Sequence, residues 1–217
     1  MKKIIFLLFF FSITFQYKGV DLSDWDGEID WEKLSKNIDF AILRAGSNFG
    51  VSDLQFENNY NGAKKYGIPI GVYWYSYAHN EEEAALEAKG CLEKIQGKQY
   101  EYPIYYDIEE QEIFDTGLTN QILETFCTIL EKAGYYCGVY CSPYFLNTYF
   151  DKDILSKYTL WVAYWEPDEP SIPHSLWQYG FEYYDGTNGK VDADTSNTDF
   201  ASVMKEHHLN FYLFVLN

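Results

Sequence analysis

The sequence predicts an α/β protein, a single irregular barrel in which β-strands and α-helices alternate. Short apolar segments with strand character alternate with amphipathic helical segments, which is typical of strand–helix–strand units around one sheet. The 217 residues contain no internal repeat and no linker marked by a change in composition, so one domain is expected. Strands in the last third follow one another without long helices, which predicts fewer helices than strands.

The candidate strands are apolar runs bounded by turn-forming residues: Val20–Leu22, Phe40–Arg44, Ile70–Tyr77, Pro103–Ile108, Tyr136–Tyr140, Leu160–Trp165 and Leu176–Tyr179. The candidate helices carry apolar residues at helical spacing: Asp53–Tyr66, Glu81–Ile95 and Thr119–Ala133. Gly134 is expected to end the third helix. These elements place the barrel domain at residues 17–203, and residues 204–217 form a C-terminal tail to which the sequence assigns no role.

Residues 1–16 have the composition of a secretory signal peptide. Lys2 and Lys3 precede the unbroken apolar run Ile4–Phe11, and the small residues Ser12 and Thr14 lie near a plausible cleavage point. A membrane anchor is the alternative, but the run is shorter than the ~20 residues that a spanning helix needs. We therefore expect a secreted protein that acts outside the cell or in the lumen of a digestive vesicle.

The composition restricts the possible partners. The formal net charge is -17, from 33 acidic and 16 basic residues. Nucleic acids and anionic membranes would repel such a chain, so neither is expected as a partner. Aromatic residues make up 20% of the chain; their flat apolar faces suit pyranose rings, although most of them are expected in the core. The four histidines have no metal-ligand spacing, and we expect no metal, cofactor or obligate protein partner.

The strongest signal for chemistry is the segment Pro103–Glu109, an apolar strand that ends in two carboxylates two positions apart. Strand alternation places Tyr105, Asp107 and Glu109 on one face, with the Cα atoms of the two acids ~6.5–7 Å apart. Residues at the carboxyl end of barrel strands are typically catalytic, and glycosidases use pairs of acids to cleave sugar linkages. A metal site and a solvated strand end are the alternatives. Because one negative charge opposes the next, we expect Asp107 to raise the pKa of Glu109.

Two further acids lie near the two ends of the predicted barrel. Asp21 ends the first strand, and Asp192 follows the last predicted strand. The first and last strands of a closed barrel are neighbours, so these two acids are expected to join Asp107 and Glu109 at one mouth. Each of them taken alone could instead be a turn or capping residue.

An ordered series of motifs resembles glycoside hydrolase family 25, the Chalaropsis-type lysozymes. The series runs from residue 19 to about residue 200: Gly19-Val-Asp-Leu-Ser23, Ile29-Asp-Trp31, Phe40–Gly46, Gly71–Ala78, Tyr106–Glu109, Gly138–Tyr140, Trp161–Tyr164, Trp177–Tyr179 and Val191-Asp192. No single motif is specific, but the ordered set is. One position departs from the pattern, since Trp74 stands where the family often has His, and this difference bears on subsite specificity.

The resemblance implies a flattened, incomplete, TIM-like β/α barrel without a cofactor. It also implies hydrolysis of the β-1,4 bond between N-acetylmuramic acid and N-acetylglucosamine in bacterial peptidoglycan, with net retention through the substrate's acetamido group. On this resemblance Glu109 is the general acid, Asp107 orients the acetamido group, and Asp21 and Asp192 complete the acidic site. One alternative is a carbohydrate-binding protein on the same barrel without turnover. The other is a chitin-directed hydrolase, whose usual Asp-x-x-Asp-x-Asp-x-Glu strand is absent.

Three tyrosines are candidate substrate contacts. Alternation places Tyr73 and Tyr75 on one face of their strand and Trp74 on the other. Tyr73, Tyr75 and Tyr140 are expected either to bind sugar or to pack in the core. Trp177 either stacks on a sugar or closes the barrel.

Arg44 and the cysteines carry two further expectations. Arg44 ends an apolar strand, so its guanidinium is expected to enter the barrel and pair with the acids there; an exposed strand end is the alternative. Four cysteines in an exported chain favour disulfides, with three complete pairings possible. Cys137 and Cys141 would be ~13 Å apart along one strand, which is too far for a bond. Cys91 and Cys127 lie on consecutive helices, and we expect these two to be bonded.

Overall fold

The computed structural model describes residues 16–211. The expected signal peptide, apart from Gln16, lies outside the described residues, as does the apolar end of the tail at residues 212–217. The division of the chain into leader, barrel domain and tail therefore stays a prediction.

The described residues form nine strands and eight α-helices. The strands are β1 (Tyr17–Leu22), β2 (Phe40–Ser47), β3 (Val51–Ser52), β4 (Ile70–Tyr75), β5 (Ile104–Asp107), β6 (Cys137–Cys141), β7 (Thr159–Ala163), β8 (Leu176–Tyr183) and β9 (Lys190–Ser196). The helices are α1 (Trp31–Leu34), α2 (Phe56–Lys65), α3 (Glu81–Ile95), α4 (Gln111–Asp115), α5 (Thr119–Lys132), α6 (Pro143–Tyr149), α7 (Lys152–Leu155) and α8 (Phe200–His207). A short 3-10 helix, Asp24–Asp26, follows β1.

Eight of the nine strands close into a barrel. β1, β2, β4, β5, β6, β7 and β8 pair in parallel in this order, and β9 pairs antiparallel with both β8 and β1. β3 lies outside the ring and forms a short antiparallel pair with β2. The predicted irregular α/β barrel is confirmed, and its irregularity arises from the antiparallel last strand and from the short helices α6 and α7.

Aromatic side chains fill the interior of the barrel. Trp161 and Tyr105 are almost fully buried there, with ring centroids 5.3 Å apart. Phe200 and Met204 of α8 are also buried, and the Phe200 ring packs on Tyr102, which precedes β5. Helix α8 therefore closes the amino-terminal end of the barrel, and it extends past the predicted domain boundary at residue 203.

Strand β9 was not predicted, although its sequence alternates as a strand should. Val191 and Ala193 are buried toward one side, while Asp192 and Asp194 alternate with them. Asp192 thus lies within the closing strand, opposite Asp21 of β1.

The expected bond between Cys91 and Cys127 is not formed, because all four cysteines are buried free thiols. Helices α3 and α5, which carry these two residues, do pack against each other. The Cys127 side chain points to the sheet instead, with its Sγ 4.0 Å from the carbonyl oxygen of Gly138 on β6. Within residues 16–211, no helix has the length and apolarity that crossing a bilayer requires.

Candidate active site

A cavity of about 270 Å³ opens at the carboxyl ends of the parallel strands. All four acids of the predicted ring line it: Asp21, Asp107, Glu109 and Asp192. Parallel strands end at one edge of a sheet, and this edge is where the βα loops of a barrel carry active sites. The structure therefore brings together side chains that are up to 171 positions apart in the chain (Asp21 to Asp192).

Strand β5 places its two acids at different depths. Asp107 is the last residue of the strand and is almost fully buried. Its neighbours in register are Tyr75 on β4 and Tyr140 on β6. Glu109 lies two residues beyond the strand end, and its side chain is exposed at the mouth of the cavity.

The surroundings of these two acids favour their protonated forms. Burial raises the pKa of Asp107 well above its usual value, and the negative charge of Glu109 adds to the shift. Although solvent reaches the Glu109 side chain, the surrounding cavity walls desolvate its carboxyl group and raise its pKa; the Tyr75 hydroxyl opposes the rise, and the charge of Glu110 adds to it. The raised pKa of Glu109 agrees in direction with the sequence prediction. Glu110 adds a further negative charge, while the repulsion between Asp107 and Glu109 opposes ionisation of both.

The other two acids form a pair across the closing strands. Asp21 is in register with Asp192, and Gln178 Nε2 donates a hydrogen bond of 2.9 Å to Asp21 Oδ2. Burial raises the pKa of Asp192 to about 6, with contributions from nearby negative charges. Asp107 Oδ1 and Asp192 Oδ1 are buried and have no hydrogen-bond partner among the described residues. Both carboxyl groups of the cavity wall therefore retain unused acceptor capacity.

The three candidate tyrosines all line the cavity. Tyr73 and Tyr140 also belong to the barrel core, where their rings pack against Trp161 with centroids 5.9 and 4.4 Å away. The Tyr140 hydroxyl donates to Gln178 Oε1 at 3.0 Å, and the Tyr75 hydroxyl donates to Glu110 Oε1 at 2.6 Å. Tyr73 and Tyr140 thus pack in the core and also line the cavity, and sugar binding by the three tyrosines stays a prediction.

Several residues of the site were not identified from the sequence. Trp161, Gln178 and Trp25 line the cavity, and Glu110 contacts its wall through Tyr75. Trp161 and Gln178 lie within the motifs that resemble family 25, but nothing in the sequence around them indicated a role in the site. Trp177, in contrast, does not line the cavity, and its indole N–H donates to the carbonyl oxygen of Tyr164 at 2.6 Å.

Arg44 lines the cavity and is paired, but with other partners than expected. Its Nε donates to Asp53 Oδ2 at 2.8 Å, and its terminal nitrogen forms an ion pair with Asp24. Neither partner belongs to the predicted ring of acids. Arg44 is the one arginine of the chain. None of the four ring acids has an ion-pair partner among the described residues.

A second groove, of about 430 Å³, adjoins the cavity and shares Glu109 and Tyr140 with it. Tyr144 and Trp165 form its aromatic walls, and both side chains are more than half exposed. The Trp165 indole is fixed by a hydrogen bond of 3.0 Å to Gln178 Oε1 and by the ring of Phe181. Glu109 therefore lies at the junction of an acidic cavity and an aromatic groove.

This arrangement fits acid–base chemistry on a sugar. Protonated and ionised carboxyl groups lie around one space, where they can donate a proton and stabilise a developing positive charge. Among residues 16–211, no group of three or more His, Cys, Asp or Glu side chains has the geometry to hold a metal ion.

Comparisons with known proteins agree with this geometry. Residues 20–186 match the sequence model of a protein family that is described as "Glycosyl hydrolases family 25". The autolytic lysozyme of Clostridium acetobutylicum is 24% identical over 185 residues, which cover 82% of this chain and 55% of that protein.

Solved structures match the fold closely. The modular autolysin LytC of Streptococcus pneumoniae has a TM-score of 0.74 and 32% identity; the match covers 83% of this chain but only 46% of LytC. A bacterial lysozyme from Streptomyces coelicolor has a TM-score of 0.76 and 21% identity over 87% of this chain and 95% of its own. The family match covers most of the chain and includes three of the four ring acids, with Asp192 just beyond its end. The chain belongs to family 25 of the glycosyl hydrolases and is a glycoside hydrolase.

Proposed function

We propose that this protein is a secreted lysozyme that hydrolyses the β-1,4 bond between N-acetylmuramic acid and N-acetylglucosamine in bacterial peptidoglycan. The observation that carries the proposal is the place of Glu109, between a cavity with four carboxyl groups and an aromatic groove. Two relatives support the substrate: one is an autolytic lysozyme, and the autolysin LytC has been solved with a synthetic peptidoglycan ligand.

In this proposal the two sugars bind on either side of Glu109. The acidic cavity takes the N-acetylmuramic acid ring whose anomeric carbon reacts, because a positive charge develops on that ring. The groove takes the leaving N-acetylglucosamine, which stacks on the exposed face of Trp165. Glu109 then lies beside the oxygen that joins the two rings.

The reaction proceeds in two steps. Glu109 transfers its proton to the glycosidic oxygen while the bond from that oxygen to the anomeric carbon breaks. The carbonyl oxygen of the 2-acetamido group bonds to the anomeric carbon from the opposite face, and the carboxyl group of Asp107 accepts the acetamido N–H. Water then attacks the same carbon, with Glu109 as the base, and restores the acetamido group. Two inversions give net retention.

The test is digestion of purified peptidoglycan by the wild-type enzyme and by Glu109→Gln. We expect new reducing ends from the wild-type enzyme only, with the β-anomer as the first product in proton NMR. Initial release of the α-anomer would contradict the acetamido mechanism. Binding to peptidoglycan without new reducing ends would identify a carbohydrate-binding protein instead.

Export is the second part of the proposal, and it rests on the composition of residues 1–16. Expression in a secreting host should yield a protein in the medium that has lost about these residues. N-terminal sequencing checks this, and a cell-associated protein with an intact leader would contradict it.

A further inference from the structure

The barrel holds a fifth carboxyl group, which lies beneath the cavity. Asp194 is on β9, two residues after Asp192, so both side chains point to the barrel interior. Its partners in register are Gly19 of β1 and Gln178 of β8. Because Gly19 precedes Asp21 by two residues on β1, Asp194 lies deeper in the barrel than the cavity lining, and it is fully buried.

The hydrogen bonds of Asp194 are incomplete if it is ionised. The Trp161 indole N–H donates to its Oδ1 at 2.8 Å. Its Oδ2 has no donor among the described residues. Asp21 lies diagonally across from Asp194 on the neighbouring strand β1, and Gln178, which is in register with Asp194, donates to Asp21. Ionised carboxylates only accept hydrogen bonds, so a hydrogen bond between the two groups requires a proton on one of them.

The surroundings of the pair also oppose two negative charges. Neither Asp21 nor Asp194 takes part in any ion pair within residues 16–211. The titratable groups that face them are Asp192, Tyr73, Tyr140, Tyr105 and Tyr179. All of these are neutral or negative, and the cation that lines the cavity, Arg44, is already paired with Asp24 and Asp53. A second charge on the pair would therefore be buried without a counter-ion of its own, which is unfavourable.

We propose that Asp194 is a positioning residue that shares one proton with Asp21, and that it thereby holds both Asp21 and Trp161 in place beneath the sugar. Asp21 is fixed from one side by Gln178 Nε2, at 2.9 Å, and from the other by the shared proton. The Trp161 ring, which lines the cavity, is oriented by its bond to Asp194. The floor of the site therefore carries one negative charge instead of two.

The electrostatics agree with a shared proton. Burial raises the pKa of Asp194 to about 8. Burial first, and then the charge of Asp194, raises the pKa of Asp21. In the unfolded chain both groups have a pKa of ~3.9. The folded protein therefore retains a proton that the unfolded chain releases, and the stability from this pair falls as the pH rises from about 4 to about 8.

The first test compares the thermal stability of Asp194→Asn with that of the wild-type protein. Asn keeps an acceptor for Trp161, and its amide donates to Asp21 without a shared proton. We expect Tm of the variant minus Tm of the wild type to increase steadily between about pH 4 and pH 8, over which the pair holds its proton. The matched control is Asp168→Asn, an exposed acid, for which this difference should not depend on pH. A difference for Asp194→Asn that stays constant over this range would overturn the shared proton.

The second test uses turnover, and it rests on the proposed function. Asp194→Leu removes the acceptor for Trp161 and the contact with Asp21, and we expect kcat on peptidoglycan to fall tenfold or more. Asp194→Asn should recover most of this loss. An equal loss in both variants would overturn the positioning role. The stability comparison needs no substrate and stands if the Leu variant does not fold, so a failure of the proposed function is distinguishable from a failure of this inference.

Discussion

Glu109 and Glu110 are consecutive in the chain, yet their carboxyl groups have different surroundings. Glu109 lines both the cavity and the groove. Glu110 is turned aside, where it accepts the hydrogen bond from the Tyr75 hydroxyl. Because Glu109 lines the cavity and Glu110 does not, the two residues provide a matched pair for testing which acid donates the proton.

Glu109→Gln should reduce kcat/KM on peptidoglycan by about 10²–10⁴-fold, the range that a general acid contributes. Its Tm should change little, because the side chain is exposed at the mouth of the cavity. Glu110→Gln should cause a much smaller loss. Similar losses in the two variants would contradict the assignment of Glu109 as the acid.

Glu110→Gln should also change the dependence of activity on pH. The wild-type enzyme should have a bell-shaped profile of kcat/KM with its maximum below neutrality, because the pKa of Glu109 is raised but remains that of a carboxyl group. Removing the charge of Glu110 favours the ionised form of Glu109. We therefore expect the alkaline limb to move to lower pH. A limb that stays in place would show that Glu110 does not tune the acid.

The sequence identified the acids of the site but only part of their interactions. Asp107 and Glu109 could be predicted as site residues because two acids are unusual on an apolar strand. Strand alternation also places both side chains on the same face. The roles of Trp161 and Asp194 depend on a hydrogen bond between β7 and β9, which no local pattern encodes. The ion pairs of Arg44 could not be predicted either, because Asp24 and Asp53 lie in two loops that come together only in the folded protein.

At the level of elements, Arg44 ties three segments together. It extends from β2 to Asp24 in the 3-10 helix after β1 and to Asp53 before α2. Asp53 Oδ2 also accepts a hydrogen bond of 2.9 Å from the backbone N–H of Asp24. These contacts hold the 3-10 helix, which carries Trp25 and Asp26, at the edge of the cavity.

Arg44→Met should therefore destabilise the protein by about 3 kcal/mol, because it leaves two largely buried acids without their cation. Lys33→Met is the matched control, since Lys33 pairs with Asp30 on the exposed surface, where solvent screens the two charges. Denaturant unfolding measures both changes. Equal effects of the two substitutions would show that the Arg44 pairs contribute no more than surface contacts.

The regular elements followed from the sequence, and the irregular ones did not. Helices α3 and α5 were predicted because they are long and amphipathic. Strand β9 was missed because its buried positions are held by Val191 and Ala193 between acids, and its pairing with β1 is set by barrel closure. The short helices α6 and α7 span seven and four residues, too few for a periodic pattern to register.

At the level of the whole molecule, closure of the barrel creates the site. The antiparallel strand β9 joins β8 to β1 and brings Asp192 opposite Asp21. The aromatic interior and α8 fill the opposite end, so the open space lies at the carboxyl ends of the strands. The fold class could be predicted from alternation of strands and helices, whereas the shape of the cavity depends on contacts between residues distant in the sequence.

The measurement that tests the central claim most directly is the identity of the new reducing sugar after digestion of peptidoglycan. Borohydride reduction labels that sugar, and mass analysis of the fragments identifies it. If the cavity binds N-acetylmuramic acid and the groove binds the leaving N-acetylglucosamine, every new end is reduced N-acetylmuramic acid. Fragments that all end in N-acetylglucosamine would contradict the proposed placement of the two sugars around Glu109.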